Sequence, residues 1–428
     1  MDDIAEIEKH ENLVMLSQLR RCELMDEKGR RARLKDLSVA LLDGDYPPVT
    51  RLYYLNSKNQ TQSIDWKAVE SLDWPNRLIK VRDLEHGKRE SASSLSEQVL
   101  LGDGILDALI LDLQNRRATR ANDLSLEETD GKLLLRAADT GFGALLRRLT
   151  GGRFGPISSE VLLDWKYVEF LRGDPNAVRS EAGKHLRIGR LPAGEIARLT
   201  DPLPYLHAAE LITLLADPKA ADTLEAMMPE RQLQVFEELE EEQALRLLAL
   251  MAPDLATDLV GRLRTRTMRR YLERLPRKQA ERILDLLRYP EDTVGGIMTN
   301  DMVYACGDLT VAEARETLRT PLKDPDFVIL IYIVDDEKSR RLRGLIALRN
   351  LITAGDDELL QDIMDPYVTT LDPLAPAAQA AYRVIDSHLA GLPVVGDEGQ
   401  LLGVVTVDAA VAQVAPPSWN VLAPRVFA

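Results

Sequence analysis

Tyr289-Pro290-Glu291-Asp292-Thr293-Val294-Gly295-Gly296-Ile297-Met298-Thr299 is the stretch on which the reading of this chain turns, because the sequence changes texture across it. Before it, from about residue 200, Leu and Ala dominate and prolines recur at 218, 229, 253 and 276. Proline is favoured at the first helical position, where its missing N–H costs nothing, so these prolines mark helix starts. Apolar residues recur at steps of three and four, as in Leu255, Leu259 and Leu263. Short amphipathic helices that cannot bury a face alone must stack, and a small superhelix is expected.

After the stretch the chain repeats itself. Ile297-Met298-Thr299 answers Ile363-Met364-Asp365, and each copy ends in a hairpin-like unit, Ile331 to Ile346 and Leu392 to Val405. Helical patterns at 311–319 and 375–388 lie between start and hairpin. Two α/β modules packed about a pseudo-twofold axis are the simplest architecture. Gly295-Gly296 is not followed by G-x-x-x-x-G-K and reads as a tight turn between domains, not as a phosphate loop.

A second duplication lies at the front. The pattern D-W-K-x-V-E-x-L at Asp65 to Leu72 returns at Asp164 to Leu171, and Arg30-Arg31-Ala32 with Asp36-Leu37-Ser38 answers Arg116-Arg117-Ala118 with Asp123-Leu124-Ser125. Two modules at roughly 13–90 and 97–172 follow. Each consists of short β-prone runs broken by turn residues, for which a small barrel or sandwich is the natural solution.

Composition bounds the function. The 428 residues divide into about three or four domains. The excess of 69 acidic over 54 basic residues, a formal charge of -15, argues against nucleic acid and anionic lipid as general partners. Cys22 and Cys306 are isolated, so neither a disulfide framework nor a zinc site is indicated and a reducing cytoplasm fits. The N-terminus is acidic and lacks the apolar core of a signal peptide. The longest apolar run, Phe327 to Val334, falls far short of the ~20 residues that span a bilayer, so no direct membrane insertion is expected. His10, His86, His185, His207 and His388 are scattered without an H-E-x-x-H, and an enzyme is the least supported class. His388, beside the apolar run Leu389 to Val395, reads as a hydrogen-bonded core or interface histidine.

With its flanks, the opening stretch resembles the cytosolic part of MgtE-type magnesium transporters: a helical N domain, a Y-P-E-D-x-x-G-G-x-M-T linker and a pair of CBS domains, here over about 200–415. The front modules resemble PRC-barrels, in which a D-x-x-G turn leads to a D-L-x-V strand, here Asp26 to Gly29 and Asp36 to Val39; Asn115 stands for the turn glycine in the second copy. The resemblances imply a multidomain α+β protein. Its parts would be PRC-like small β-barrel modules at 13–90 and 97–172, an α-helical superhelical N domain at 185–290 and an α/β CBS pair at 291–415, split into about 291–355 and 357–415. They also imply a cytoplasmic regulatory module that senses Mg2+ or another divalent cation, pairs with itself through its CBS domains, and acts on a separate membrane transporter to which it would lie peripheral. The sequence holds no pore, and the tandem front modules favour a natural pore-less relative over a truncation.

Candidate ligands follow residue by residue. Asp254 and Asp258 are four apart, so one helix face would hold both with Cβ atoms about 6 Å apart. They match the family's N-domain ligand helix. Relatives carry T-V-D-D-V-L-D at the end of the second CBS copy, whereas this chain reads Thr406-Val407-Asp408-Ala409-Ala410-Val411-Ala412, so of those carboxylates Asp408 alone remains. The adenine-nucleotide motif G-h-h-[ST]-x-x-D is represented by Gly344 to Asn350, with Arg349 for a phosphate and Asn350 for a ribose, and by Thr406 in the second copy, where Ala409 replaces the acid. Nucleotide sensing and a ligand-free adaptor are therefore the alternatives. Ten cations between Arg262 and Arg288 are expected to face the chain's own acidic patch at Glu237, Glu238 and Glu240 to Glu242.

Overall fold

The computed structural model describes residues 13–41, 44–56, 59–73, 76–85, 87, 98–150, 162–171, 187–319, 322 and 329–415. The chain divides into two compact units, Met1–Leu191 with Leu199–Leu214 and Pro192–Arg198 with Leu215–Ala428.

The first unit is β-rich. Its strands are β1 (Leu13–Met15), β2 (Glu23–Asp26), β3 (Arg31–Val39), β4 (Val49–Leu55), β5 (Thr61–Asp65), β6 (Val69–Asp73), β7 (Leu78–Val81), β8 (Val99–Leu100), β9 (Leu109–Asp112), β10 (Arg117–Arg120), β11 (Asp123–Thr129), β12 (Lys132–Asp139), β13 (Leu162–Asp164) and β14 (Val168–Phe170), with helices α1 (Leu16–Leu19) and α2 (Phe142–Thr150). They form three sheets, β5-β4-β3-β2-β7-β6 with β8 on β3, β1-β11-β12-β13, and β10-β9-β14. The repeated D-W-K motif makes the same local structure twice. Asp65 and Asp164 each cap a short 3-10 turn by accepting from the N–H of Lys67 (2.9 Å) and Lys166 (3.1 Å), which buries Trp66 and Trp165.

The two repeats exchange their leading segments. β1, at the head of the first repeat, pairs with β11 of the second, while β8, at the head of the second, pairs with β3 of the first. A buried aspartate locks each exchange. Asp123 accepts from the Ser17 N–H (3.1 Å) and hydroxyl (2.5 Å) at the start of α1, and Asp36 accepts from the N–H groups of Gly102 (2.8 Å) and Asp103 (2.9 Å). Burial raises the pKa of both carboxyls against the opposing pull of these donors. One core joins Leu24, Leu37 and Leu52 of the first repeat to Leu124, Leu135 and Trp165 of the second. The turn substitution also resolves: Gly29 takes φ +74, but in the second copy the left-handed residue is Arg116, not Asn115.

The helical region runs α3 (Ala193–Thr200), α4 (Tyr205–Leu214), α5 (Asp217–Glu225), α6 (Pro229–Glu237), α7 (Glu241–Leu250), α8 (Pro253–Arg262), α9 (Thr265–Arg274) and α10 (Arg277–Leu286). Pro229 and Pro253 open their helices, Pro218 is second in α5, and Pro276 caps α10, as proline's missing N–H dictates. Leu259 and Leu263, read from the spacing, are buried.

The α/β region follows as α11 (Val294–Ile297), β15 (Tyr304–Cys306), α12 (Val311–Leu318), β16 (Leu330–Val334), β17 (Leu342–Ala347), α13 (Leu348–Thr353), α14 (Leu360–Ile363), α15 (Ala377–Asp386), β18 (Gly391–Val395), β19 (Leu401–Thr406) and α16 (Val407–Val414). Here too the halves exchange their leads. Thr299 bridges to Val404 of the second hairpin and Asp365 to Leu345 of the first. Gly344 and Gly403 are required by this approach, since a Cβ on them would lie 2.6 Å from the carbonyl oxygens of Asp365 and Thr299. His388 is an exposed residue at φ +54 just after α15, not a core histidine: the chain turns there and carries the ring outward. His10, His86 and His185 lie outside the described residues.

Replacing Asp123 by Ala strips three donors of their acceptor and leaves Arg147, 4.0 Å away, with one fewer carboxylate. The β-rich unit should lose about 3 kcal/mol, read from urea unfolding followed by tryptophan fluorescence. An unchanged midpoint would mean that the exchanged lead is not held by this aspartate.

Candidate regulatory site

Asp254 and Asp258 both lie on α8, half-buried, with Asp254 in its first turn, where the helix dipole favours a carboxylate. Neither residue is without an interaction partner. Asp408 sits in the first turn of α16 as an exposed residue whose carboxyl is partly desolvated, which raises its pKa. The structure does not gather the three: among the described residues no group of three or more His, Cys, Asp or Glu is arranged to hold a metal ion. Of the three candidates, Asp254 and Asp258 share one helix, α8. One or two carboxylates are what a magnesium ion that keeps most of its water requires, so the pair fits a hydrated ion and not a closed protein cage.

The nucleotide candidates occupy equivalent places after the two hairpins. Arg349 and Asn350 are exposed on α13. Thr406 is the N-cap of α16, and its hydroxyl accepts from the Ala409 N–H at 3.2 Å. That capping bond leaves the hydroxyl hydrogen free to donate. Ala347, at the matching position of α13, provides no side-chain cap.

How the helical region meets the α/β pair was not legible from motifs. Arg282 on α10 forms an ion pair with Asp301 at 3.0 Å, and its carbonyl accepts from the Asn300 side chain at 2.9 Å. Leu286, at the end of α10, enters the core of the second α/β half beside Val294, Met298 and Val384. The linker is pinned by backbone bonds as well: the N–H groups of Val294 and Gly295 donate to the carbonyls of Ala375 (2.9 Å) and Pro373 (2.8 Å). Gly295 and Gly296 therefore do not serve a left-handed turn. A Cβ on Gly295 would collide with the Tyr289 ring, and one on Gly296 with the Pro290 carbonyl, so close approach demands both glycines.

A stack of short helices joined through a pinned linker to a duplicated α/β pair is the architecture of a helical domain followed by a CBS pair. The MgtE intracellular N domain model matches residues 191–292, and the CBS domain model matches 294–357 and 360–414. The magnesium transporter MgtE of Thermus thermophilus is 37% identical over 123 residues, which are 29% of this chain and 27% of the relative. That of Bacillus subtilis is 28% identical over 221 residues, 52% of this chain and 49% of the relative. The crystal structure of the cytosolic domain of the Mg2+ channel MgtE in complex with ATP aligns at 30% identity with a TM-score of 0.50, over 56% of this chain and 95% of that one. Over residues 191–414 the chain belongs to the MgtE family, with an N domain followed by a CBS pair. It spans no more than about half the length of these curated relatives. Both matched domains are regulatory modules, and among the described residues no helix is long and apolar enough to cross a membrane.

Arg282→Ala and Asp301→Ala should each loosen α10 from the CBS pair and speed proteolytic cleavage near the linker. In a double-mutant cycle the two should couple by about 1 kcal/mol, as a partly buried ion pair does. Strictly additive effects would deny that the pair holds the junction.

Proposed function

We propose that this chain is a cytoplasmic, ion-responsive regulatory module that modulates a divalent-cation transporter carried on a separate polypeptide. The observation that supports this most is the continuous likeness, through N domain, linker and CBS pair, to the cytosolic domain of a Mg2+ channel. In the proposed mechanism the N domain has at least two placements on the CBS pair. Mg2+, or another divalent ion, biases them by binding one more tightly, through Asp254 and Asp258 with Asp408 as a further carboxylate of the second CBS half. Such an ion supplies charge neutralisation and oriented water. The chain's own part is to offer few carboxylates and to link their helix to the CBS core through α8, α10 and the linker. The alanines at 409, 410 and 412 weaken the CBS side of the site, so the response should be shallower than with a full carboxylate set.

A second ligand is supported by the ATP named for the similar structure: Thr406, Arg349 and Asn350 would meet an adenine nucleotide. Self-association is supported by the surface of the CBS pair, which carries Ile352, Tyr367, Leu374 and Tyr382, each at least 65% exposed, with Ile385 nearby in sequence. Exposed apolar side chains on both halves of the CBS pair favour burial against a second copy. The β-rich front would then dock the assembly, the role its PRC-like pattern implies.

The test is a melting curve of the full chain across Mg2+, Mn2+ and Ca2+, with NaCl matched for ionic strength. An ion at about 100 times its Kd stabilises the native state by about 2.7 kcal/mol, so the melting temperature should rise by several degrees. Asp254→Asn with Asp258→Asn should abolish the rise. A rise that survives both substitutions would move the site elsewhere, whereas no rise with any divalent ion, but one with ATP, would favour the nucleotide reading. Tyr382→Asp should halve the molecular mass seen by light scattering; a mass indifferent to Tyr382 would remove α15 from the interface.

A further inference from the structure

The ten cations from Arg262 to Arg288 were expected to be neutralised within the chain, and the structure divides them into two groups. Arg270 and Arg274 on α9 reach Glu241 and Glu242 at the start of α7, with Arg270 to Glu241 at 3.5 Å and Arg274 to Glu242 at 2.7 Å. Arg277 pairs with Glu281, Arg282 with Asp301 and Arg288 with Asp285. Arg262, Arg264, Arg266, Arg269 and Lys278 are exposed, and among the described residues none of them has an ion-pair partner.

Four of the unpaired cations follow one another in sequence across the junction of α8 and α9. Arg262 ends α8, Arg264 is the N-cap of α9, and Arg266 and Arg269 lie on its outer face. At 100° per residue, Arg266, Arg269 and Arg270 fall within an arc of about 100°, opposite the buried Tyr271 and Leu275. No acidic residue occurs between Asp258 and Glu273; Glu273, one turn beyond Arg269 on the same arc, bounds the patch at its C-terminal end, so the four arginines before it are not interrupted by an acid. Like charges gathered this closely repel one another, and an anionic partner relieves that repulsion.

The surroundings select the partner. Nucleic acid and an anionic bilayer are extended anionic surfaces, and both would meet the charge of -15 carried by the whole chain. A bilayer-seeking helix also needs an apolar face to insert, but the apolar side of α9 is spent on the core, and no large hydrophobic residue between 262 and 274 is exposed. Tyr271 is buried and offers no base-stacking face. A short acidic polypeptide segment can meet the patch locally without approaching the rest of the surface. The cations are four arginines to one lysine, and a guanidinium matches a carboxylate in a two-bond fork that an ammonium cannot form. We infer that the Arg262, Arg264, Arg266 and Arg269 face of the N domain is a docking surface for an acidic peptide segment of a partner protein.

The experiment titrates the full chain into fluorescein-labelled octaglutamate by fluorescence anisotropy, at about 150 mM salt so that long-range attraction is screened. Phosphatidylserine vesicles and duplex DNA serve as competing probes. Wild type should bind the peptide more tightly than vesicles or DNA. The variant R262A/R264A/R266A/R269A should weaken it by about tenfold or more, as expected for losing four exposed charge contacts. R262K/R264K/R266K/R269K keeps the charge and removes the fork, and should weaken binding by an intermediate factor. R277A, which removes an already paired arginine, should leave binding unchanged. Circular dichroism confirms that the variants are folded. The inference is overturned if the peptide does not bind, if R277A weakens it as much as the quadruple variant, or if vesicles or DNA bind more tightly through the same arginines.

Discussion

Neither duplication in this chain completes itself; each repeat is finished by the leading segment of its sister. In the β-rich unit, β1 and β8 cross over and are locked by Asp123 and Asp36. In the CBS pair, Thr299 and Asp365 cross over onto the opposite hairpins, where Gly403 and Gly344 leave room for their carbonyls. A strand edge presents unpaired N–H and C=O groups, and burying one without a partner costs as much as a lost hydrogen bond. Exchange removes that cost for both copies at once and makes each duplication a cooperative unit.

In the second unit the crossing segment is also the tether of the N domain. Tyr289 to Met298 leaves α10, packs into the second CBS half and only then opens the first. A shift of α10 therefore cannot stay local: it pulls on a segment that closes the opposite hairpin. The Arg282 to Asp301 ion pair and the entry of Leu286 into the CBS core add two further points of attachment. This is the physical basis for expecting a ligand near α8, which packs against α10, to be felt in the CBS pair.

Much of this was legible in the sequence because periodicity and repetition survive without side-chain contacts. The proline-punctuated helices, the D-W-K turns and the paired hairpins all correspond to local rules. Exchange was not legible, since both leads look like ordinary continuations of the repeat behind them. Gly295 and Gly296 serve a close approach where the sequence suggests a turn, because a sequence displays a glycine but not which of the two it serves. The expected charge pairing between the arginine run and Glu241 and Glu242 is present, yet only Arg270 and Arg274 take part in it, because a helix can face a given neighbour with one stripe only. For the metal candidates, spacing placed Asp254 and Asp258 on one helix, while the distance from that helix to Asp408 has no signature in a linear sequence.

The coupling of the N domain to the CBS pair through the linker is the central claim, and amide hydrogen exchange of the full chain with and without Mg2+ tests it most directly. The Val294 and Gly295 amides donate across to the second CBS half. Their protection should change together with that of α8 when Mg2+ is added, and not with matched NaCl. A change confined to α8, with the linker amides indifferent, would contradict the account, because the ion would then be bound without being transmitted.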